Sequence, residues 1–546
     1  MKLQMGIIDD TERQDQPRFE INPLLGNIAV FGGPMSGKST FVKTLLVRLH
    51  QKFNQQQERI YLVDFGGSLG AFRKMELVCA AFDNSNEENI KRVFRTVENQ
   101  LRENADILDG RNFYSVWKAD AEKCPPHMTF IIENINAFLE DERYATYQEL
   151  LIKLCRDGLS KGLTLVVTGR DTSGMGKLLT NFAHKIGFGL SAEEYAQVFG
   201  TKIIPPMKLP GRGIVNREGK YYEFQCFLPF HVKEQDGLAP FLENAKANPN
   251  RLEAFPKELT KKFFESKYPD YRAAKSTVVL GMDYYDHTPL ELNYEESRSI
   301  GIYGKRRFGK TNLLRLILGH IEKNHPNHYR YVFLDDGREQ LWQIISGNQA
   351  DDETSRHRMD DAIKQSGRYE MGDKLYFRKP EKFREYLIEK GYVKPAWTDH
   401  GPLMPGERYG RDSARQAPPL QPSPTVFVID SKLFYQGLGE DQLLLETYIP
   451  QIANTARDHD FILILADVRA VNVEVYEILN RCITEAFLLD DLGDFIADRG
   501  HKSVFGELDQ KEMKSTYARC ELGDGFSYSI EADKLKKVKF FKASDT

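Results

Sequence analysis

Several things are scarce in this 546-residue chain. Its six cysteines, Cys79, Cys124, Cys155, Cys226, Cys482 and Cys520, include no pair at CxxC spacing. That argues against a zinc site or a disulfide framework, and for scattered reduced thiols. No apolar run approaches the roughly 18 residues of a membrane span; the longest candidates, LTLVV and FILILA, are strand-sized. The opening MKLQMGIIDD has no apolar signal-peptide core. Positive charge is not in excess either: 75 Lys and Arg stand against 79 Asp and Glu, a net charge of −4. A whole-chain electrostatic grip on nucleic acid is therefore not expected, and only a local basic groove would permit one. With 41% hydrophobic and 28% charged residues, the composition is that of a globular protein. The length calls for two or three domains.

What is present is one motif, twice. GGPMSGKST at 32–40 and GKRRFGKTN at 304–312 both satisfy G-x-x-x-x-G-K-[ST]. A single chance match in a chain this long has a probability of roughly 0.02, and a second is far rarer. Each match follows a strand-like run (NIAVFG, SIGIYG) and opens a helix-like one with apolar residues three and four apart. The glycines let several backbone N–H groups converge on one phosphate cluster, and the following helix adds its N-terminal partial charge. The expected phosphate-binding set is Gly32, Gly33, Pro34, Met35, Ser36, Gly37, Lys38, Ser39 and Thr40 in the first copy. In the second it is Gly304, Lys305, Arg306, Arg307, Phe308, Gly309, Lys310, Thr311 and Asn312. Lys38 and Lys310 would reach the β/γ-phosphates, and Ser39 and Thr311 would place a hydroxyl on Mg²⁺. The bland alternative is a tight strand–helix turn that binds nothing.

The repetition extends past the loops. RIYLVD ends at Asp64 and RYVFLD at Asp335; FIIE ends at Glu133 and VFVID at Asp430; TLVVTGR and LILADVR follow, ending at Arg170 and Arg469. The second copy carries extra residues in an interval that contains ISGNQADDETSRHRMDDA and RYGRDSARQAPPLQPSP; the latter, rich in Pro, Arg and Gly, reads as an exposed loop. Strands alternating with helical stretches predict a mainly parallel sheet flanked by helices, and a phosphate loop after an early strand makes it a P-loop NTPase fold. The expected α/β architecture is two tandem P-loop domains, 1–255 and 276–546, joined by a charged linker at 256–275.

The acids are irregular. A hydrolysing P-loop enzyme orients Mg²⁺ with a strand-end acid and activates water with a base beside it. Glu133 and Asp430 stand at the strand ends, and Asn134 and Ser431 follow them. Neither Asn nor Ser takes a proton from water near neutral pH. Both copies are thus expected to hold ATP·Mg²⁺ through Ser39, Glu133, Thr311 and Asp430 and to hydrolyse it slowly, unless Asp64 or Asp335–Asp336 supplies a base.

GGPMSGKST, YLVDFGGSLGAF, TLVVTGR and LPGRGIV resemble the FtsK/SpoIIIE-type ATPases. Together with MGIIDDTERQDQ and VVLGMDYYDHTPLELNY, they resemble the second and third ATPase domains of the coupling ATPases of type VII secretion systems, the EssC/EccC family. The resemblance runs over nearly the whole chain and implies RecA/FtsK-like domains. It also implies a C-terminal fragment of a membrane-anchored protein on the cytoplasmic side of the bacterial membrane, hexameric in the full machine. In that family the first domain is the hydrolysing motor. The later two bind ATP with degenerate acids and engage small helical-hairpin WXG100 substrates and other secretion components. Arg457 falls where such motors carry an arginine finger; the competing reading is a solvated helical arginine. An active DNA translocase is the alternative function. The degenerate acids and negative charge oppose it, as does the lack of a DNA-reading appendage. A transporter ATPase would need an LSGGQ-like signature that the chain lacks.

Overall fold

A computed structural model describes residues 2–335 except 86, 218 and 306, together with 361–394, 397–398, 401–404, 407–408, 422–466, 473–492, 495 and 520–542. Most of these two stretches of the second copy lies outside the described residues, as do Arg306, Asp336, Arg469 and the side chain of Asp335. The chain divides into two compact units, Met1–Ala254 and Phe255–Thr546.

In chain order the first unit contributes β1 (Leu3–Asp9), β2 (Arg18–Ile21), β3 (Ile28–Gly32), β4 (Glu58–Asp64) and β5 (Val78–Asp83). It continues with β6 (His127–Glu133), β7 (Leu163–Gly169), β8 (His184–Phe188), β9 (Arg212–Arg217) and β10 (Lys220–Cys226). They form one sheet in the order β2-β1-β10-β9-β8-β3-β7-β6-β4-β5. Strands from β8 to β5 run parallel, and the β9, β10, β1 and β2 flank is antiparallel. The central strands β3, β6 and β7 are buried at every position. That is why they read as mainly apolar runs, not as strict alternation. Helices cover both faces and close two cores.

The second unit has β11 (Thr277–Asp283), β12 (Pro289–Asn293), β13 (Ser299–Gly304), β14 (Arg330–Asp335), β15 (Arg368–Met371) and β16 (Lys374–Phe377). A small sheet follows, of β17 (Trp397–Thr398), β18 (Gly401–Met404) and β19 (Glu407–Arg408). The last strands are β20 (Thr425–Asp430), β21 (Phe461–Ala466), β22 (Glu485–Leu489), β23 (Asp524–Ser529) and β24 (Lys534–Phe540). The main sheet is ordered β12-β11-β24-β23-β22-β13-β21-β20-β14-β16-β15. Strand for strand this is the first sheet again, with one addition, β15 outside β16.

The stretch 256–275, expected to be a linker, folds onto the second unit. Leu259 bridges to Phe541 and is buried, and Phe264, 7% exposed, packs on the Phe541 ring at 5.6 Å. Thr260 caps the helix Lys261–Lys267 through the N–H of Phe263. The charges of this stretch masked its aromatics: Phe264 joins the core, and Phe263, Tyr268 and Tyr271 pack against it partly buried, as does the preceding Phe255.

Among the described residues, every cysteine is a free thiol, no group of three or more His, Cys, Asp and Glu could hold a metal ion, and no helix is long and apolar enough to cross a membrane.

Candidate functional site

Both phosphate loops sit at the C-terminal end of a central parallel strand, between β3 and the helix Lys38–Lys52 and between β13 and the helix Lys310–Asn324. Ligands bind at this edge in open parallel sheets. Gly37 and Gly309 cap those helices in the left-handed region, at φ 118° and 110°, which L side chains rarely enter. A Cβ at Gly37 would also stand 2.8 Å from the Gly211 backbone, where the N–H of Gly211 donates to Ser36 O at 2.8 Å. Glycine is needed there for both backbone angle and space. At Gly33 a Cβ would meet nothing, and the second copy does place a side chain at that position, Lys305.

The lysines behave alike. Lys38 Nζ donates to the carbonyls of Gly32 (2.5 Å) and Gly33 (2.9 Å); Lys310 Nζ donates to Gly304 (2.5 Å) and Lys305 (3.3 Å). Each ammonium lies over its own loop, where a phosphate cluster would sit. Burial lowers the pKa of Lys38, and the Glu133 carboxylate pulls the other way. Met35, at φ 56°, is 94% exposed at the tip of the first loop. Ser36 Oγ donates to Gly33 O, and Thr40 O accepts from Thr44 Oγ1. Pro34 is exposed beside Met35.

The strand-end acids arrive as the strand order demands. Ser39 Oγ donates to Glu133 Oε1 at 3.1 Å. Glu133 Oε2 is buried with no hydrogen-bond partner among the described residues. A hydroxyl beside a carboxylate with an unspent oxygen suits a hard divalent cation, so Ser39 and Glu133 fit Mg²⁺. Burial raises the pKa of Glu133, as does the nearby Asp64; Ser39 and Lys38 oppose the shift. Asp64 is engaged otherwise: its carboxylate accepts the backbone N–H groups of Gly66, Ser68 and Leu69 and shapes the loop after β4.

Asn134 lies in the left-handed region at φ 61°, which Asn tolerates. Its N–H donates to Thr168 Oγ1 at the end of β7. Ser431 is fully buried and caps the helix Lys432–Leu438, its Oγ accepting the N–H of Phe434 at 2.9 Å. Sequence reasoning saw only a missing base at these two positions; the structure gives each a backbone task. Asp430 is 8% exposed at the end of β20, as Glu133 is at the end of β6. Thr311 and Asn312 open the helix after the second loop, and Asn312 Nδ2 donates to Phe541 O. Arg307 takes φ 68° and Phe308 packs on both cores of its unit.

One residue set escaped the motif. Lys305 Nζ reaches Asp490 Oδ1 at 2.8 Å and Asp491 Oδ2 at 3.6 Å, just past β22. Asp490 is fully buried. Register matches Asp490 to Gly189, since Leu489 pairs with Gly304 as Phe188 pairs with Gly32. The first copy thus has no counterpart to this ion pair. The only sequence signal was the double acid in FLLDD, which no phosphate-loop pattern includes.

Arg457 is in the short helix Ala456–His459 that precedes β21, so it sits at the opposite edge of the sheet from its own loop. A six-residue strand separates the two edges by about 20 Å. Its guanidinium is 67% exposed, donates to Glu296 O and stands 3.9 Å from Glu531. It does not enter its own site. Arg170, at the end of the equivalent strand in the first unit, pairs with Asp171 at 2.9 Å.

Two mainly parallel sheets, each with a phosphate loop, a lysine folded over it and a strand-end acid, have the architecture of tandem P-loop domains. Residues 1–183 match the FtsK/SpoIIIE family model. Over 344 residues the chain is 24% identical to the ESX secretion system protein EccC of Geobacillus thermodenitrificans, covering 59% of this chain and 23% of that protein. It is 22% identical over 361 residues to the type VII secretion system protein EssC of Staphylococcus aureus, covering 63% and 24%. The chain therefore aligns with about a quarter of the length of these relatives. In fold it is similar to EssC (ATPases 2 and 3) from Geobacillus thermodenitrificans, with TM-score 0.64, 19% identity and coverage of 99% of this chain and 96% of that one. It is also similar to Thermomonospora curvata EccC (ATPases 2 and 3) in complex with a signal sequence peptide, with TM-score 0.63, 15% identity and coverage of 99% and 93%. The chain carries an FtsK/SpoIIIE domain, and its homologues are type VII secretion ATPases of the EssC/EccC kind.

Proposed function

We propose that this chain is the nucleotide-binding, substrate-recruiting part of a type VII secretion ATPase, working at the cytoplasmic face of the membrane. Both loops bind ATP with Mg²⁺: Lys38 and Lys310 on the β/γ-phosphates, Ser39 with Glu133 and Thr311 with Asp430 on the metal. Hydrolysis is slow, because Asn134 and Ser431 offer no base and Asp64 is committed to three backbone N–H groups. The observation that carries this reading is the doubled cradle, loop lysine and strand-end acid included, with a backbone-bound Asn or Ser where water would be activated. Units 1–254 and 255–546 then correspond to the second and third ATPase domains of the relatives.

The related EccC that holds a signal sequence peptide supports recruitment of secreted proteins here, WXG100-type substrates among them, with the rest of the membrane-anchored ATPase as neighbour. Arg457, exposed at the far edge of its sheet, would serve a neighbouring copy's nucleotide in a homo-oligomer; the competing reading is a solvated arginine. A DNA translocase motor fits less well, given the net charge of −4. The test is bound nucleotide counted per chain. Wild type should hold two equivalents, and Lys38→Ala and Lys310→Ala should each remove about half. Less than one equivalent in the wild type, unchanged by either substitution, refutes binding in at least one site.

A further inference from the structure

We propose that the outer edge of β5 in the first unit is a docking site for an extended, acidic segment of a partner protein, which adds to the sheet as an eleventh strand. The internal repeat supplies the main argument. Among the described residues β5 is the last strand of its sheet and pairs on one side only, with β4. Its equivalent in the second unit, β16, has its outer edge covered by the antiparallel β15, from Arg368 opposite Phe377 to Met371 opposite Lys374. When β4 and β14 are aligned on their strand-end acids, Ala80, Ala81 and Phe82 fall where Leu375, Tyr376 and Phe377 are paired. The second unit fills a position that the first leaves open.

The first unit's own chain closes only the start of that edge. Leu252 N–H donates to Cys79 O at 2.6 Å, and Arg251 donates to the carbonyls of Lys74 and Met75. Beyond Cys79, a groove of about 360 Å³ runs beside Ala80–Asp83. Exposed edges are normally blunted by charge or proline. The run Val78–Phe82 has neither, and the small side chains of Ala80 and Ala81 leave room for a second backbone. The occupant's chemistry follows from the rim. Arg73, Lys74 and Arg251 line the groove, with Arg73 and Lys74 exposed. The acid in the lining, Asp83, already accepts the N–H of Ser85. Main-chain bonds to β5 would supply affinity and the basic rim a preference for acidic side chains, the usual division in strand addition.

The probe is a synthetic peptide with the sequence of residues 366–373, SGRYEMGD, which carries β15 and two acids. It is added to the full chain, and backbone amide exchange over residues 79–83 is read. The peptide should slow exchange there about tenfold or more at saturation, and the same peptide with Pro at its Tyr369 position should not. Charge reversal by Arg73→Glu with Lys74→Glu should weaken binding about tenfold and leave the melting temperature unchanged. Slow exchange without peptide would mean the chain covers its own edge. Protection that grows with protein concentration would mean a second copy is the occupant. Equal protection by the proline peptide would mean binding that is not strand addition. Each of these overturns the proposal. The result is independent of the nucleotide reading, which the loop lysines test separately.

Discussion

Glu133 holds the tension in the first site. Its carboxylate is buried, raised in pKa by that burial and by Asp64, and accepts from Ser39 through Oε1. A raised folded-state pKa means the ionised form is disfavoured, so its ionisation subtracts stability as pH rises from the unfolded carboxylate range through the folded value. A bound cation reverses that. Glu133→Gln should therefore leave the melting temperature of nucleotide-free protein equal or higher at pH 7, while the first site loses the Mg²⁺ dependence of nucleotide binding; melting with and without Mg²⁺ reads both. A marked loss of stability without ligand would show that the carboxylate is structural. The positions of the lysines were legible in the sequence because the phosphate loop has a fixed spacing, and those of the strand-end acids because each closes an apolar strand. The roles of Asn134 and Ser431 were not, because a helix cap and a left-handed turn are satisfied by several residue types. Lys305 and Asp490 meet only through strand order, so nothing local in the sequence pairs them.

At the scale of elements, the helix after the first loop is tied to the sheet through a histidine. His50 Nδ1 faces Leu46 O at 3.0 Å, and its Nε2 accepts the N–H of Leu77 at 3.0 Å. The acceptor role requires a neutral ring, and burial lowers its pKa to about 4. Because the folded value lies below the unfolded one, this contribution is fully present above about pH 6.5 and is lost as pH falls toward 4. Denaturant unfolding of the first unit should show falling stability from pH 7 to pH 5, and His50→Gln should flatten that slope; an unchanged slope would contradict the assignment. The strands themselves were legible as apolar runs ending in acids, since full burial on both faces leaves no alternation to misread. The stretch 256–275 was not. Its lysines and glutamates suggested a solvated connection, whereas its aromatics decide where it lies, since they gain by burial while the charged ends can stay in water.

For the whole molecule, two sheets share one strand order and each carries a phosphate loop of the same geometry, and the proposal of one ligand bound twice rests on that repetition. We expect ATP to act as a staple. A ligand that binds only folded protein stabilises it by about 4 kcal/mol at a thousandfold excess over Kd. ATP·Mg²⁺ should therefore raise the melting temperature by several degrees, a non-hydrolysable analogue should match it, and Lys38→Ala and Lys310→Ala should each lose the rise in one unit. The tandem plan itself was readable, because the motif, the strands and the acids recur in the same order. The added strand β15 was not, since its sequence sits among residues without a counterpart in the first copy. The most direct test of the central claim is the identity of the nucleotide bound to protein loaded with ATP·Mg²⁺ and sampled over time. Two equivalents that remain ATP over many minutes are predicted. Conversion to ADP near the ~10 s⁻¹ common among enzymes would contradict it.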